Sequence, residues 1–173
     1  MRLQRAVGAM VLLFLIEHSV MPWVIPEAWI GRIVPHFVFV FVLYAALYRS
    51  RHTALLLGMA FGIVQDIVFY GHLLGVHCFS MGICGYLTGL LLENRRAPLM
   101  MALSVIGMGS LLYDGITFLI YRAFQLTSLL YADALMVYMM PSLFLQLGFA
   151  LAVYVPARRW FEGSVKPPAE EDG

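Results

Sequence analysis

Residues Gly58–Gly75 read GMAFGIVQDIVFYGHLLG, and this stretch decides the fold of the chain. Its composition is that of a membrane span, yet it contains one carboxylate, that of Asp66. At 100° per residue, helical geometry places four side-chain positions on one stripe, within an arc of about 100°. They are Gly58, Gly62, Gln65 and Asp66. Because an acid inside a membrane is costly, this stripe must face protein or a cavity rather than lipid.

The composition places the chain among integral membrane proteins. Its 173 residues are 62% hydrophobic and 12% charged, whereas a soluble domain has about 25% charged residues. The length is that of one domain. The net charge of +1, without a basic stripe, excludes nucleic acid as a class of partner.

Six apolar segments follow one another, and as helices they can cross a hydrocarbon core of about 30 Å. They cover residues 6–24, 33–48, 53–70, 73–92, 97–121 and 134–155. The predicted fold is an all-α integral membrane bundle of six transmembrane helices, in one domain over residues 1–160. The first segment is interpreted as a retained span, because no clear cleavage site follows it. Residues 161–173 are predicted to form a disordered cytoplasmic tail.

The basic residues predict the orientation of this bundle. With the amino terminus inside, Lys and Arg concentrate at the inner ends of the spans, as the positive-inside rule requires. The inner set is Arg2, Arg5, Arg49, Arg51, Arg95, Arg96, Arg158, Arg159 and Lys166, and the outer set is Arg32 and Arg122. This bias predicts an even number of spans, with both termini in the cytoplasm.

Ionisable side chains gather toward the predicted outer side. Asp66 and Asp114 lie about 6 and 10 Å from the outer ends of their spans, deeper than a capping position, and we expect both to have interior partners. The shallower groups are Glu17, His18, His36, His72 and His77. One interpretation is that these ionisable groups lie at helix ends exposed to water, and we favour it for the histidines. The other is a polar cavity, open to the outer face, that all these groups line.

Small residues form a seam along the fourth segment. They recur every three or four positions: Gly71, Gly75, Cys78, Gly82, Gly85 and Gly89. Such a seam lets another helix approach the backbone closely, and Gly58 and Gly62 offer a second seam in the third segment. Packing within the bundle is the favoured interpretation, and docking of a partner's single span is the alternative.

The last two segments carry polar groups and a proline. The fifth has one polar stripe, formed by Gly107, Ser110, Asp114, Thr117 and Tyr121, which should turn toward other helices. Asp114 needs a partner such as Arg122 or His72, or protonation, to offset its burial. Pro141 should kink the sixth segment, with the freed carbonyl bonded by a Ser or Gln side chain such as that of Gln146.

The sequence contains no pattern that predicts catalysis, a cofactor or a metal site. Membrane depth brings no Ser, His and Asp together, and there is no HExxH or phosphate-binding glycine loop. His72 and His77 are five residues apart, not the four that place two ligands on one helical face. We therefore expect a protein that is not an enzyme and has no cofactor.

The chain resembles the MreD family, a small integral membrane component of the bacterial rod-shape machinery. The resemblance depends on the pattern G-x-x-x-G-x-x-x-D, here Gly58, Gly62 and Asp66, followed by the pair Leu74 and Gly75. The chain length and the basic inner turns agree with it, over residues 1–160.

The resemblance implies a fold, a location and a set of partners. The fold would be similar to the substrate-binding subunits of energy-coupling-factor transporters, six-helix proteins whose ligand pocket opens outward. The location would be the bacterial cytoplasmic membrane. The partners would be the bitopic protein MreC, the actin-like MreB, and the glycan polymerase RodA with its class B penicillin-binding transpeptidase.

Two hypotheses of function follow. The first is a scaffold of the elongation complex, which binds the membrane helix of MreC and supports lateral peptidoglycan synthesis and cell shape. The alternative is a small-molecule-binding membrane subunit of a vitamin-type transporter, in which Asp66 and Asp114 would serve the ligand.

Overall fold

The structure is a computed structural model, and it describes residues 2–19, 23, 26, 35–68, 73–92 and 98–162. These residues form six helices and contain no strand. The helices are α1 (Arg2–Ser19), α2 (Phe37–Tyr48), α3 (Arg51–Val68), α4 (Val76–Leu92), α5 (Leu99–Ala123) and α6. The last of these, α6, begins as Tyr131–Ala134, continues through a π-helical turn, Leu135–Met139, and ends as Met140–Glu162.

Helix α2 is the centre of the bundle. All twelve of its residues are buried, and it packs against each of the other five helices. Its sequence, FVFVFVLYAALY, has no polar face, as expected for a helix that is surrounded by protein on every side. Its tyrosine hydroxyls still need partners in this position, and Tyr44 donates a hydrogen bond of 2.8 Å to the carbonyl of Ala150 in α6.

The prediction of an all-helical protein with six helices is confirmed in the described residues. By length and composition, two helices are able to cross a membrane, Leu99–Ala123 and Tyr131–Trp160. Phe37–Tyr48 and Val76–Leu92 are apolar but shorter. At 1.5 Å per residue α2 is only about 18 Å long, less than a hydrocarbon core of about 30 Å. That all six helices span the bilayer therefore stays a prediction.

Some sequence-based predictions fall on residues that the structure does not describe. They concern the connection at residues 69–72, with His72, and the tail from residue 163 onward. Four of the basic residues that predict the orientation, Arg32, Arg95, Arg96 and Lys166, also lie outside the described residues.

Helices α3 and α4 touch backbone to backbone. A Cβ atom on Gly62 would lie 2.4 Å from the Cα atom of Cys78, and one on Gly58 would lie 2.7 Å from the carbonyl oxygen of Met81. Both distances are shorter than any van der Waals contact, so only glycine fits at these two positions. The stripe of small residues in α3 thus faces α4.

The small residues of α4 contact the protein's own helices. A Cβ atom on Gly89 would lie 2.6 Å from the Cα atom of Arg51, at the start of α3. One on Gly85 would lie 2.8 Å from a methyl group of Val42 in the central helix. Gly82 faces α3 in the same way, across the side chain of Met59. These positions are filled from within the bundle, which leaves no room there for a partner's span.

The π-helical turn in α6, Leu135–Met139, ends two residues before Pro141. Proline has no N–H, so a regular helical hydrogen bond is missing at this point. The hydroxyl of Ser142 donates to the carbonyl of Tyr138 at 2.8 Å. This is the carbonyl four residues before Ser142 itself, whereas the α-helical acceptor for residue 141 is the carbonyl of Val137, so the serine does not replace the hydrogen bond that Pro141 removes. Gln146, expected to bond the freed carbonyl, is fully buried, and both of its amide atoms lack a partner among the described residues.

Replacing Gly62 by alanine should force α3 and α4 apart. We expect Gly62→Ala to lower the free energy of unfolding by about 1–3 kcal/mol, the usual effect of overpacking a tight contact. Thermal unfolding in detergent measures this. Gly148→Ala is the matched control, because a Cβ atom there meets nothing within 4 Å. Equal stability of the two variants would contradict the described contact.

Candidate functional site

The carboxylate of Asp66 binds the start of the next helix. Its Oδ2 atom accepts hydrogen bonds from the amides of Gly75 and Cys78, at 3.0 and 3.1 Å, and its Oδ1 atom accepts one from the amide of His77 at 3.1 Å. The first amides of a helix have no partner within it, and they carry a partial positive charge. Asp66 therefore offsets both the missing hydrogen bonds and the charge at the start of α4.

Gly75 makes this arrangement possible through its backbone conformation. Its φ angle is +100°, a region that residues with a side chain rarely adopt. The positive φ turns the chain into α4 just before Val76 and directs the Gly75 amide to Asp66. The pair Leu74 and Gly75 therefore forms the turn before α4, and the Asp66 carboxylate binds this turn through the Gly75 amide.

Glu17 plays the same part for the central helix. Its Oε2 atom accepts hydrogen bonds from the amides of Phe37 and Val38, at 3.0 and 3.4 Å. The carboxylate is buried, and it joins the end of α1 to the start of α2. Two acids of the predicted outer cluster therefore bind backbone amides between helices.

Asp114 has a different environment, a cavity of about 440 Å³ beside α5 and α6. His36, His77 and Tyr113 line it together with Asp114. Its apolar wall consists of Phe118, Leu126, Leu129, Ala134 and Met139. The lining includes residues of the 124–130 connection, so the cavity lies at the end of the bundle where α5 and α6 are joined.

Tyr113 holds the aromatic groups of this cavity in place. Its hydroxyl shares a hydrogen bond with Nδ1 of His77, and its ring stacks on that of Phe39 at a centroid distance of 4.6 Å. The ring of His36 meets Tyr113 edge-on at 4.9 Å. These contacts connect the starts of α2 and α4 to the middle of α5.

Two buried polar atoms at this cavity have no hydrogen-bond partner among the described residues. They are Nδ1 of His36 and Oδ2 of Asp114. The sequence predicts for Asp114 a partner such as Arg122 or His72, or protonation. Arg122 makes no hydrogen bond with Oδ2, and His72 lies outside the described residues.

The residues expected at one outer cavity thus divide into three groups. His36, His77 and Asp114 line the cavity, while Glu17 and Asp66 bind helix starts beside it. The third group is His18, which does not line the cavity and contacts the carbonyl of Phe14 in its own helix with Nδ1 at 2.7 Å. Gln65, predicted on the stripe of α3, is buried with both amide atoms unpaired in the described part of the chain.

Sequence reasoning missed Tyr113 and Ser80. Tyr113 lies one position away from the predicted polar stripe of α5, on the side that faces α2 and α4. Ser80 receives a hydrogen bond of 3.4 Å from Thr117, a member of that stripe. The polar stripe of α5 predicted hydrogen-bond partners on a neighbouring helix. The sequence did not indicate that Ser80 of α4 is one of these partners.

The described residues contain no group of three or more His, Cys, Asp or Glu side chains that could hold a metal ion. The two cysteines are free, with Cys84 buried and Cys78 partly buried. The imidazole, phenol and carboxyl groups described at this end of the bundle can donate and accept hydrogen bonds.

Removing the Asp66 carboxylate should destabilise the start of α4, because three backbone amides lose their acceptor. We expect Asp66→Ala to lower the free energy of unfolding by about 1–3 kcal/mol, since buried amides lose their acceptor. Asp66→Asn, which keeps one acceptor oxygen, should lose less. Hydrogen exchange should quicken first at Gly75, His77 and Cys78. Asp133→Ala, an exposed acid, is the control and should leave these amides protected; unchanged exchange in Asp66→Ala would contradict the proposed cap.

Comparison with known protein families gives one match, over residues 2–147, to the family described as rod shape-determining protein MreD. Comparisons with curated proteins and with solved structures find no match. The matched range includes both carboxylate caps, the glycine contacts of α3 and α4, and most of the cavity. The family consists of membrane proteins, in agreement with the two membrane-capable helices, and the resemblance inferred from the sequence is confirmed. The chain belongs to the MreD family of rod shape-determining proteins.

Proposed function

We propose that this protein is a non-enzymatic membrane scaffold of the bacterial rod-shape complex. In this role it binds the membrane helix of MreC and, through the complex, acts with MreB, RodA and a class B penicillin-binding transpeptidase in lateral peptidoglycan synthesis. The observation that carries the proposal is the family match over residues 2–147, which supports a role in rod-shape determination. The same match favours this function over a vitamin-type transporter subunit.

The proposed placement is the bacterial inner membrane, with six spans in one domain over residues 1–160 and both termini in the cytoplasm. The distribution of Lys and Arg supports this orientation. The hydrogen bonds of Glu17 and Asp66 support the arrangement as consecutive spans, because they bring the end of α1 to the start of α2 and the end of α3 to the start of α4. The two helices of each of these pairs then run in opposite directions, as consecutive spans would.

The use of the buried acids supports a scaffold rather than an enzyme. The carboxylates of Glu17 and Asp66 accept hydrogen bonds from the backbone amides at the starts of α2 and α4. These bonds hold neighbouring helices of the bundle in fixed positions. A rigid bundle presents constant surfaces to its neighbours, and a scaffold needs such surfaces.

A groove of about 560 Å³ between α4 and α5 is the proposed docking surface for the MreC helix. It is apolar along most of its length, and several of its side chains are exposed: Leu87, Leu91, Met108, Leu112 and Leu119. In a bilayer, helices associate through close packing rather than through a hydrophobic driving force, so a groove between two helices suits a single partner helix. The glycine seam of α4 is already occupied, which makes this groove the better candidate.

Filling the groove should weaken the association. Met108 and Leu112 lie one helical turn apart on α5, so we expect Met108→Trp and Leu112→Trp to reduce the recovery of MreC in co-purification several-fold. Cells that depend on the variant should lose their rod shape and become round. The physical reason is that indole rings occupy the space that the partner helix needs.

Phe144→Trp is the matched control, because Phe144 is also a largely exposed apolar residue but lies on α6, outside the groove. It should recover MreC as the unchanged protein does. If the groove variants accumulate in the membrane, recover MreC fully and support rod shape, the groove is not the docking surface. If MreC is not recovered with the unchanged protein, the scaffold proposal itself fails.

A further inference from the structure

The cavity beside α5 and α6 plays no part in the scaffold function proposed above. Asp114 and His36 line it, and among the described residues Oδ2 of Asp114 and Nδ1 of His36 are buried atoms without a hydrogen-bond partner. His36 is more than nine-tenths buried. Buried polar atoms almost always have a hydrogen-bond partner, and each exception requires an explanation. A ligand that donates hydrogen bonds to both atoms is such an explanation.

The lining of the cavity combines apolar and polar side chains. Phe118, Leu129 and Met139 present apolar surface, and the imidazole of His36 and the carboxyl group of Asp114 are among the polar groups. Ligand sites typically have this form, a mainly apolar lining with a few placed polar groups, and volumes of about 300–1,000 Å³. The volume of this cavity, about 440 Å³, falls within that range.

The π-helical turn of α6 is an independent indication. Leu135–Met139 contributes Tyr138 and Met139 to the cavity wall. A π-helical turn is rare, and it occurs frequently at functional sites because the extra residue widens the helix locally. Here the widened turn lies against the cavity.

Charge selects the kind of ligand. Among the described residues that line the cavity there is an acid, Asp114, but neither lysine nor arginine. An anionic head group would meet an unpaired carboxylate, which is unfavourable, whereas an ammonium group would donate a charge-assisted hydrogen bond to it.

We propose that this cavity binds an amphiphile with a primary ammonium head. The ammonium donates hydrogen bonds to Oδ2 of Asp114 and to Nδ1 of His36, and the alkyl or aryl body lies against the apolar wall at Phe118 and Met139. Two sources share this chemistry, an aminophospholipid of the bilayer and a free alkylamine.

The first experiment compares octylamine with octanol on the whole protein in phosphatidylcholine nanodiscs, with thermal unfolding as the measurement. Octylamine should raise the unfolding midpoint at concentrations at least tenfold lower than octanol, because only the amine is charged. Asp114→Asn should remove this difference. Asp133→Asn should keep it, since Asp133 is an exposed acid that does not line the cavity. Equal effects of amine and alcohol, or a preference that persists in Asp114→Asn, would overturn the proposal.

The second experiment separates the two sources. Native mass spectrometry of protein from mixed nanodiscs should retain phosphatidylethanolamine over phosphatidylcholine if the ligand is an aminophospholipid, and Leu129→Trp, which narrows the cavity, should abolish this retention. Retention of neither lipid, with octylamine still bound through Asp114, assigns the cavity to a free amine. If neither ligand depends on Asp114 or on Leu129, the cavity does not select an ammonium head.

Discussion

The fold depends on carboxylates that satisfy helix starts belonging to other helices. Inside a membrane, the first amides of a helix have no water to bond with, and each unpaired amide is costly. Asp66 accepts three of these hydrogen bonds at the start of α4, and Glu17 accepts two at the start of α2. Burying these two acids costs free energy. They are nevertheless the groups that satisfy the first amides of α4 and α2, and so allow these helices to start within a low-dielectric interior.

This constraint also sets the packing. Gly58, Gly62 and Asp66 lie on one stripe of α3, so the face that binds the start of α4 is the face that touches the α4 backbone. Shifting α3 by one residue would rotate this stripe by about 100° and break the hydrogen bonds and the close contact together. Glu17 similarly fixes the start of α2, and α2 in turn supplies the surface on which the other helices pack.

Helical periodicity made part of this arrangement predictable. The spacing of Gly58, Gly62 and Asp66 was sufficient to assign one face of α3 to the protein interior. Periodicity names a face but not the neighbour on that face. For this reason a partner helix remained an alternative occupant of the glycine seam of α4. The interior partner expected for Asp66 could not be identified as the backbone amides nine to twelve residues further on.

The cavity was less accessible to sequence reasoning, for a geometric reason. The π-helical turn of α6 adds a residue to one turn, so the faces of α6 beyond Leu135–Met139 do not follow from a period of 3.6. Its position was marked only indirectly, by Pro141. Tyr113 was missed because it lies beside the polar stripe of α5 rather than on it, although its hydroxyl is the partner of His77.

Glu17, Asp66 and Asp114 lie on α1, α3 and α5, and their roles can be compared. Glu17 and Asp66 each bind the start of the following helix, but Asp114 does not bind the start of α6. That helix begins after the 124–130 connection, with no side-chain cap at Leu130, and it has its own acid, Asp133, in the first turn. A negative charge in the first turn already complements the partial positive charge of a helix start. Among the described residues Asp114 therefore lacks the structural task that its two counterparts perform, and it lines the cavity for which we propose an ammonium ligand.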